Sequence, residues 1–221
     1  DRGVYEIPYG VLERERYDLP NSGYEACGDW PALHWAGIQA SGHVFAVLNR
    51  GTPSCRVEKG TLMLSVLRSP RWYNAVRHTE PAPLEDDSFV SRHYRGRLDH
   101  GTHRFRHAVY AAPGNWRDSD VTWQAHVFNA GLDVLPGGLA GPMPLWRLDA
   151  SHTFVTALKK AEDGKGVVVR LVEMSGRPET VRLGVPEHFK SAWQCNLLEE
   201  KRRMLELRGG SAALEMGAWK I

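Results

Sequence analysis

TLMLSVLRSP, residues 61–70, is the stretch of this chain that decides the fold. The apolar side chains of Leu62, Leu64 and Val66 fall at every second position, so they share one face of an extended backbone. This alternation, with turn residues on both sides, is typical of a β-strand that packs one face on a core. We therefore predict a buried strand over 61–67.

The two ends of this strand also carry information. The turn sequences GTPS at 51–54 and VEKG at 57–60 precede it and predict tight reversals of the chain. Pro70 ends it, because proline lacks the N–H that a sheet requires and restricts the residue before it. Arg68 then lies at the tip of the strand, and we predict that its guanidinium reaches the rim of the sheet.

Short apolar stretches bounded by turns recur through the chain. Further strands are predicted over 4–9, 33–38, 44–48, 104–110, 121–128, 154–158, 167–172, 180–183, 192–197, 204–207 and 213–216. The turn EDGK at 162–165 joins two of them into a β-hairpin. Because no stretch shows a convincing helical period, we predict an all-β fold, a large antiparallel β-sandwich of two packed sheets.

Composition excludes several classes of protein. The chain has 221 residues, of which 28 are basic and 26 acidic, with a net charge of +2 and no basic run longer than KRR at 201–203. Nucleic-acid binders usually carry concentrated positive charge, so we expect no nucleic-acid partner. No apolar run reaches the roughly 20 residues of a membrane helix, so we expect no membrane partner either.

The cysteines and the first residues bear on location and completeness. Cys27, Cys55 and Cys195 are odd in number, far apart and without a C-x-x-C spacing, so we expect free thiols in a reducing compartment and a cytoplasmic location. The chain opens at Asp1 directly in strand-like sequence, without the basic and apolar regions of a signal peptide. We expect it to be a fragment of a longer polypeptide.

Histidine and acidic side chains gather around 71–102, a stretch without periodicity that we predict to be a long surface loop. On a strand, His103 and His107 would share a face but lie about 13 Å apart, too far for one zinc ion. The loop itself gives its side chains no fixed geometry, so we expect neither a metal site nor a catalytic carboxylate pair there. The loop residues concerned are His93, His100, Glu85, Asp86, Asp87 and Asp99.

Aromatic residues are better candidates for contact with a ligand. The chain has eight tryptophans, and four of them lie in or beside predicted loops: Trp30, Trp35, Trp72 and Trp116. Their flat faces can stack on sugar rings, although most tryptophans in sandwiches fill cores or cover loops. We single out Trp72 with its neighbour Tyr73, and Arg68, as candidates for the rim of a carbohydrate site. For Arg68, a structural ion pair is the default interpretation, and a donor that faces a ligand is the alternative.

Eight stretches resemble, in the right order, the C-terminal region of the glycoside hydrolase family 38 α-mannosidases, and above all its bacterial members. Together they are spread over nearly the whole chain. The stretches are YEIPYGVLER (5–14), AVLNRG (46–51), LMLSVLRSP (62–70), DHGTHRF (99–105), FN (128–129), LKKAEDG (158–164), RLVE (170–173) and NLLE (196–199).

The resemblance implies a fold and a division of labour. The fold is a β-sandwich of the galactose-mutarotase type, a supersandwich, behind an N-terminal catalytic α/β barrel and a helical bundle. In the family, the zinc ion and the aspartate nucleophile belong to the barrel, so the resemblance implies no catalytic residue and no metal ligand in this chain. The segment 87–90 is similar to the nucleophile motif, but Val90 stands where the family has glycine, so we assign it no role.

These expectations give a hypothesis for the function. Retaining glycoside hydrolysis requires two carboxyl groups roughly 5 to 5.5 Å apart, and this sequence fixes no such pair. We therefore expect residues 1–221 to be the non-catalytic C-terminal domain of a retaining α-mannosidase that hydrolyses terminal α-mannosides. The domain would be inactive alone, would pack on the barrel of its own polypeptide, and would reach the substrate rim through Arg68. Assembly into a homo-oligomer is a further expectation, because family members often oligomerise.

Two alternatives remain open. The chain could be a free-standing carbohydrate-binding module, which exposed tryptophans along a groove would favour. It could also be a mutarotase-type aldose epimerase, the less favoured alternative. An epimerase would need His103 as general acid and Glu173 as general base in one pocket.

Overall fold

A computed structural model gives the structure of residues 2–15, 29–67, 101–131, 137 and 146–221. Within these residues, the backbone forms sixteen strands and one helix, and every strand pair is antiparallel. The predicted all-β antiparallel sandwich is confirmed. No helix in this part of the chain has the length and apolar character that crossing a membrane requires.

The elements are as follows. In chain order the strands are β1 (Arg2–Ile7), β2 (Gly10–Glu15), β3 (Trp30–Pro31), β4 (Trp35–Ala40), β5 (His43–Asn49), β6 (Ser54–Glu58), β7 (Thr61–Ser65), β8 (His107–Pro113), β9 (Arg147–Asp149), β10 (Thr153–Lys160), β11 (Val167–Glu173), β12 (Glu179–Gly184), β13 (Ala192–Cys195), β14 (Lys201–Leu205), β15 (Leu207–Arg208) and β16 (Ser211–Met216). The helix, α1 (Val121–Ala130), lies between β8 and β9.

Three layers build the N-terminal half. A five-stranded sheet with the order β2-β1-β4-β5-β8 is the middle layer. One of its faces packs against α1, through a core that includes Val4, Trp35 and Val121. The other face packs against the three-stranded sheet β3-β6-β7, through a core that includes Tyr5 and Val57. Because neighbouring residues of a strand point to opposite faces, β1 is buried on both sides.

The strand predicted over 61–67 forms at the edge of the smaller sheet. β7 pairs with β6 as a hairpin whose turn contains Lys59 and Gly60, as the turn signals predict. Leu62 and Leu64 face the core and are half-buried, whereas Val66 lies beyond the strand and is exposed. The prediction of a buried strand is therefore too strong, since β7 has a partner on one side only.

The prediction of a strand over 121–128 is wrong, because these residues form α1. The valine, threonine, tryptophan and phenylalanine side chains of this stretch favour strands and obscure a helical spacing. Packing decides for the helix: Val121 and Ala125, one turn apart, are fully buried against the middle sheet. In the last turn, the side-chain amide of Asn129 donates a hydrogen bond to Asn49 O of β5 at 2.9 Å.

Three smaller sheets build the C-terminal half. β10 and β11 form the predicted hairpin, β13 pairs with β14, and a four-stranded sheet has the order β15-β16-β12-β9. Consecutive residues of β11 point to opposite faces of the strand and belong to two separate cores. Val172 packs with Phe154, and its neighbour Leu171 packs with Val181.

Aromatic stacking joins the two halves. Trp123 of α1 stacks on Phe154 of β10, with ring centroids 6.0 Å apart. Trp116, just before the helix, stacks on Trp219 near the end of the chain at 6.4 Å. The helix and the segment before it are thus in contact with both halves, and their side chains lie between them.

Gly37 of β4 tests how closely the strands of the middle sheet must approach. A Cβ atom at this position would lie 2.7 Å from Phe45 O and 3.1 Å from the Cβ of Ala46, both on β5. Gly37→Ala should lower the free energy of unfolding by roughly 1–3 kcal/mol, because β4 and β5 must separate. The control is Gly166→Ala, where nothing lies within 4 Å, and it should change this free energy by less than about 0.5 kcal/mol. Urea unfolding measures both, and equal costs would contradict the close approach.

Candidate functional site

An acidic residue lies in the core of the N-terminal half. Glu6 shares a face of β1 with Val4, so its side chain points toward α1, and it is 0% exposed. A buried carboxylate loses its hydration, and charged or hydrogen-bonding partners must compensate for the loss. For Glu6, two histidines are these partners.

Glu6 and the two histidines form a compact cluster. His34 Nδ1 lies 3.0 Å, and His126 Nε2 lies 2.9 Å, from the same carboxylate oxygen, Glu6 Oε1. The other oxygen, Glu6 Oε2, accepts the backbone N–H of His34 at 3.2 Å. The two imidazole rings meet edge to face, with their centroids 4.6 Å apart. We call Glu6, His34 and His126 the triad.

A different element positions each member of the triad. Glu6 comes from β1, and His34 from the short link between β3 and β4, which Leu33 N ties to β1 by a 2.7 Å hydrogen bond to Glu6 O. His126 comes from α1, where its ring stacks on Phe154 with centroids 5.3 Å apart. The triad therefore forms only when the link and the helix have both docked on β1.

Opposing effects act on the Glu6 carboxyl group. Burial raises its pKa, but the hydrogen bonds from His126 and His34 lower it by more, so the pKa lies below the usual value for glutamate. The carboxylate is thus ionised at neutral pH. The rings around it are not sealed, since 24% of the His34 side chain and 29% of the His126 side chain are exposed.

The triad has the chemistry of a metal-ligand set. Imidazole nitrogens with a carboxylate oxygen are ligands that zinc and related ions use. The three donor atoms all lie within 4.8 Å of one another. None of the three residues was a candidate from the sequence. One signal was available: Glu6 is a charged residue in a strand between the apolar residues Tyr5 and Ile7.

His126 also lines a cleft of about 990 Å³ between α1 and the strands β9 and β10. Its wall is rich in aromatic rings, namely Trp116, Trp123, Trp146 and Phe154. Trp123 is 55% exposed and stacks one face on Phe154, so much of its ring stays accessible. Arg117 and His152 add polar groups to the lining. Apolar rings with a few polar groups are typical of small-molecule sites.

The side chains predicted for a substrate rim, Arg68, Trp72 and Tyr73, lie outside the described residues. The same holds for the histidines and carboxylates named for the predicted loop over 71–102, which are His93, His100, Glu85, Asp86, Asp87 and Asp99. Their roles stay predictions.

The pair proposed for an epimerase does not form an accessible acid–base site. His103 lies on an exposed stretch before β8. Glu173 is 0% exposed, and its oxygens accept hydrogen bonds from the turn that follows β11 and from Trp219 N at 3.0 Å. A base must reach the proton that it removes, so a carboxylate enclosed in this way does not suit the role.

Two models of one protein family match the chain. The model "Glycosyl hydrolases family 38 C-terminal domain" matches residues 1–88, and "Glycosyl hydrolases family 38 C-terminal beta sandwich domain" matches residues 152–221. The chain belongs to the C-terminal region of glycosyl hydrolase family 38. The resemblance found in its sequence is thereby confirmed at the level of the family.

Relatives of this family 38 chain are much longer than it is. Alpha-mannosidase 2C1 of Homo sapiens is 25% identical over 209 residues, which are 90% of this chain and 18% of that protein. Alpha-mannosidase G of Dictyostelium discoideum is 27% identical over 210 residues, which are 89% of this chain and 17% of that protein. The chain thus spans less than a fifth of the length of either relative.

A solved structure shares the fold. The crystal structure of an alpha-mannosidase from Enterococcus faecalis V583 superposes with a TM-score of 0.71 over 99% of this chain and 23% of that one, at 16% sequence identity. The architecture of the family 38 chain is therefore that of a segment within a larger protein of known structure.

Glu13 of β2 ties the middle sheet to the segment before α1, at the edge of the cleft. Its Oε1 accepts hydrogen bonds from Trp116 Nε1 at 3.0 Å and from the Arg117 guanidinium at 2.6 Å. The bonds from Trp116 and Arg117 outweigh partial burial and lower the pKa of Glu13. The ionised form of Glu13 is thus bound more strongly in the folded state than its protonated form.

The stability of the family 38 chain should depend on this carboxylate. Because the pKa of Glu13 is lower in the folded state, its charge stabilises the fold above the unfolded pKa of about 4.3, and this contribution is lost as pH falls through the folded pKa. Glu13→Gln should lower the free energy of unfolding at pH 7 by roughly 0.5–1 kcal/mol, with a smaller difference below about pH 4. Urea unfolding between pH 3 and 7 measures this. Glu187→Gln, at an exposed glutamate, is the control; an equal effect of both substitutions at every pH would refute the role of Glu13.

Proposed function

We propose that this family 38 chain, residues 1–221, is the non-catalytic C-terminal domain of a retaining α-mannosidase. One observation carries the proposal: the chain matches models of family 38 C-terminal domains and less than a fifth of each α-mannosidase relative. Hydrolysis of terminal α-mannosides then belongs to an N-terminal barrel of the same polypeptide. The zinc ion that the resemblance implies belongs to that barrel as well.

The chemistry of the buried carboxylates supports this division. Retaining hydrolysis needs two carboxyl groups roughly 5 to 5.5 Å apart that face the sugar. In the described part of the chain, the fully buried carboxylates are Glu6 and Glu173, and each is held by donors of the fold itself. These carboxylates hold structural elements together, and both residues are 0% exposed.

In this proposal the sandwich contributes a scaffold and contacts at the substrate rim. Arg68, Trp72 and Tyr73 are the side chains proposed for the rim. We also propose a reducing, cytoplasmic location, for which the free thiols of Cys55 and Cys195 are the support. Burial raises the pKa of Cys55 to about 12, so this thiol is inert and structural.

The proposal is tested by comparing the intact polypeptide with the 221-residue chain on an aryl α-mannoside. The intact polypeptide should hydrolyse the substrate and lose this activity when its metal is removed by a chelator. The 221-residue chain should give only the background rate, with or without added zinc. Hydrolysis by the chain alone would refute the non-catalytic role. A coding sequence without a barrel would refute the assignment to an α-mannosidase and would favour a free-standing binding module.

A second candidate function, carbohydrate binding by the sandwich itself, is favoured by the cleft beside α1. Trp123 and Trp146 line it together with polar groups from Arg117, Asp118 and His152. Exposed tryptophan faces next to hydrogen-bonding groups suit the apolar face and the hydroxyl groups of a sugar. Binding here does not require a catalytic barrel, so this candidate can be separated from the first.

Trp123→Ala tests the binding candidate on the 221-residue chain. If methyl α-mannoside binds in the cleft, the substitution should weaken binding by roughly tenfold, because a stacked ring contributes about 1 kcal/mol or more. Trp193→Ala is the matched control, since Trp193 is 42% exposed on β13 and does not line the cleft. Isothermal titration calorimetry measures the affinities. Absence of binding by the unmodified chain, or equal weakening by both substitutions, would eliminate this candidate.

A further inference from the structure

We propose that Glu6, His34 and His126 bind one divalent transition-metal ion, with zinc as the best fit, and that this ion fastens α1 to the middle sheet. The ligand atoms are Glu6 Oε1, His34 Nδ1 and His126 Nε2. The site lies in the sandwich itself, so it is separate from any metal ion of a catalytic barrel.

The distances are close to those of a metal site. Zinc binds nitrogen and oxygen at about 2.0–2.1 Å, so neighbouring ligand atoms of a tetrahedral site lie roughly 3.4 Å apart. In the triad, Glu6 Oε1 lies 2.9 and 3.0 Å from the two ring nitrogens, and no two donor atoms are more than 4.8 Å apart. An ion therefore requires Glu6 Oε1 to withdraw by a few tenths of an ångström and the rings to rotate slightly. Three protein ligands leave one coordination position for water.

The charges also favour a cation. Glu6 is fully buried, and within the described residues its ion-pair partners are the two imidazoles, not a lysine or an arginine. Without a metal, both rings point a nitrogen at the same oxygen atom, Glu6 Oε1. A divalent ion between the three donor atoms adds positive charge beside the buried carboxylate and uses the lone pairs of the ring nitrogens.

The ligands are held in place before any ion binds. Glu6 lies on a strand buried on both faces, and the backbone N–H of His34 bonds to Glu6 Oε2 at 3.2 Å. The ring of His126 is held between Phe154, at 5.3 Å, and the edge of His34, at 4.6 Å. Little side-chain freedom is lost on binding, which favours affinity. The partial exposure of both rings gives an ion a path from solvent.

Binding should couple to stability. The ligands come from β1, the β3–β4 link and α1, which are together only in the folded chain. An ion that binds the folded state alone stabilises it by mass action. At a hundredfold excess of zinc over its Kd, the Tm of the 221-residue chain should rise by roughly 5–10 °C.

The test uses the 221-residue chain, freed of metal by a chelator and then dialysed. Isothermal titration calorimetry with zinc should give one ion per chain, with a Kd of about 1 μM or tighter. Titration with cobalt(II) should give the visible absorption of a low-symmetry site with nitrogen and oxygen ligands. His126→Gln and His34→Gln, which keep a hydrogen-bond donor, should each weaken zinc by at least about tenfold and abolish the Tm shift.

His43→Gln is the matched control. His43 lies on β5 of the same sheet, and its Nδ1 lies 2.9 Å from Ser41 O, away from the triad. This substitution should leave the stoichiometry, the Kd and the cobalt spectrum unchanged. The proposal fails if the unmodified chain takes up no stoichiometric zinc, or if the two triad variants bind zinc as tightly as the His43 variant does. Circular dichroism is used to check that each variant folds, and either folded triad variant suffices for the comparison.

Discussion

The fold of this chain depends on a strand that is buried on both faces. β1 presents Val4 and Glu6 to the helix side and Tyr5 to the three-stranded sheet, so both neighbouring layers pack on one short segment. Such a strand has no solvent face for a charged residue. A glutamate there forces the surrounding elements to supply polar partners, and His34 and His126 are those partners. The packing of the layers on β1 and the assembly of the triad therefore depend on each other.

Local patterns predicted the strands well because turn chemistry and alternation act within a few residues. Glycine-containing turns separate apolar stretches at two places in the sequence. Both places form hairpins, β6–β7 and β10–β11. The helix could not be found in this way. Its residues Val121, Thr122 and Trp123 favour strands locally, and only the docking of Val121 and Ala125 on the middle sheet decides the outcome. That contact joins segments far apart in the sequence, so no short window contains it.

Contacts between distant segments also explain why no sequence pattern predicted the triad. His34 is 28 residues and His126 is 120 residues from Glu6, and neither separation matches a ligand spacing on one helix or strand. His103 and His107 were the pair weighed as zinc ligands because they are close in sequence. Closeness in sequence and closeness in space differ most in a sandwich, whose layers pair residues from distant strands. A charged residue at an inward strand position, such as Glu6, was the better signal.

The helix that supplies His126 lies between the stretches that the two family models match, 1–88 and 152–221. The fold extends over 99% of the chain in the Enterococcus structure, at 16% identity. Of the triad, Glu6 and His34 lie within residues 1–88, whereas His126 lies outside both matched stretches. His126 adds the third donor atom to a buried Glu6–His34 pair. The triad thus joins residues inside and outside the stretches that the family models match, on a fold that a solved alpha-mannosidase shares.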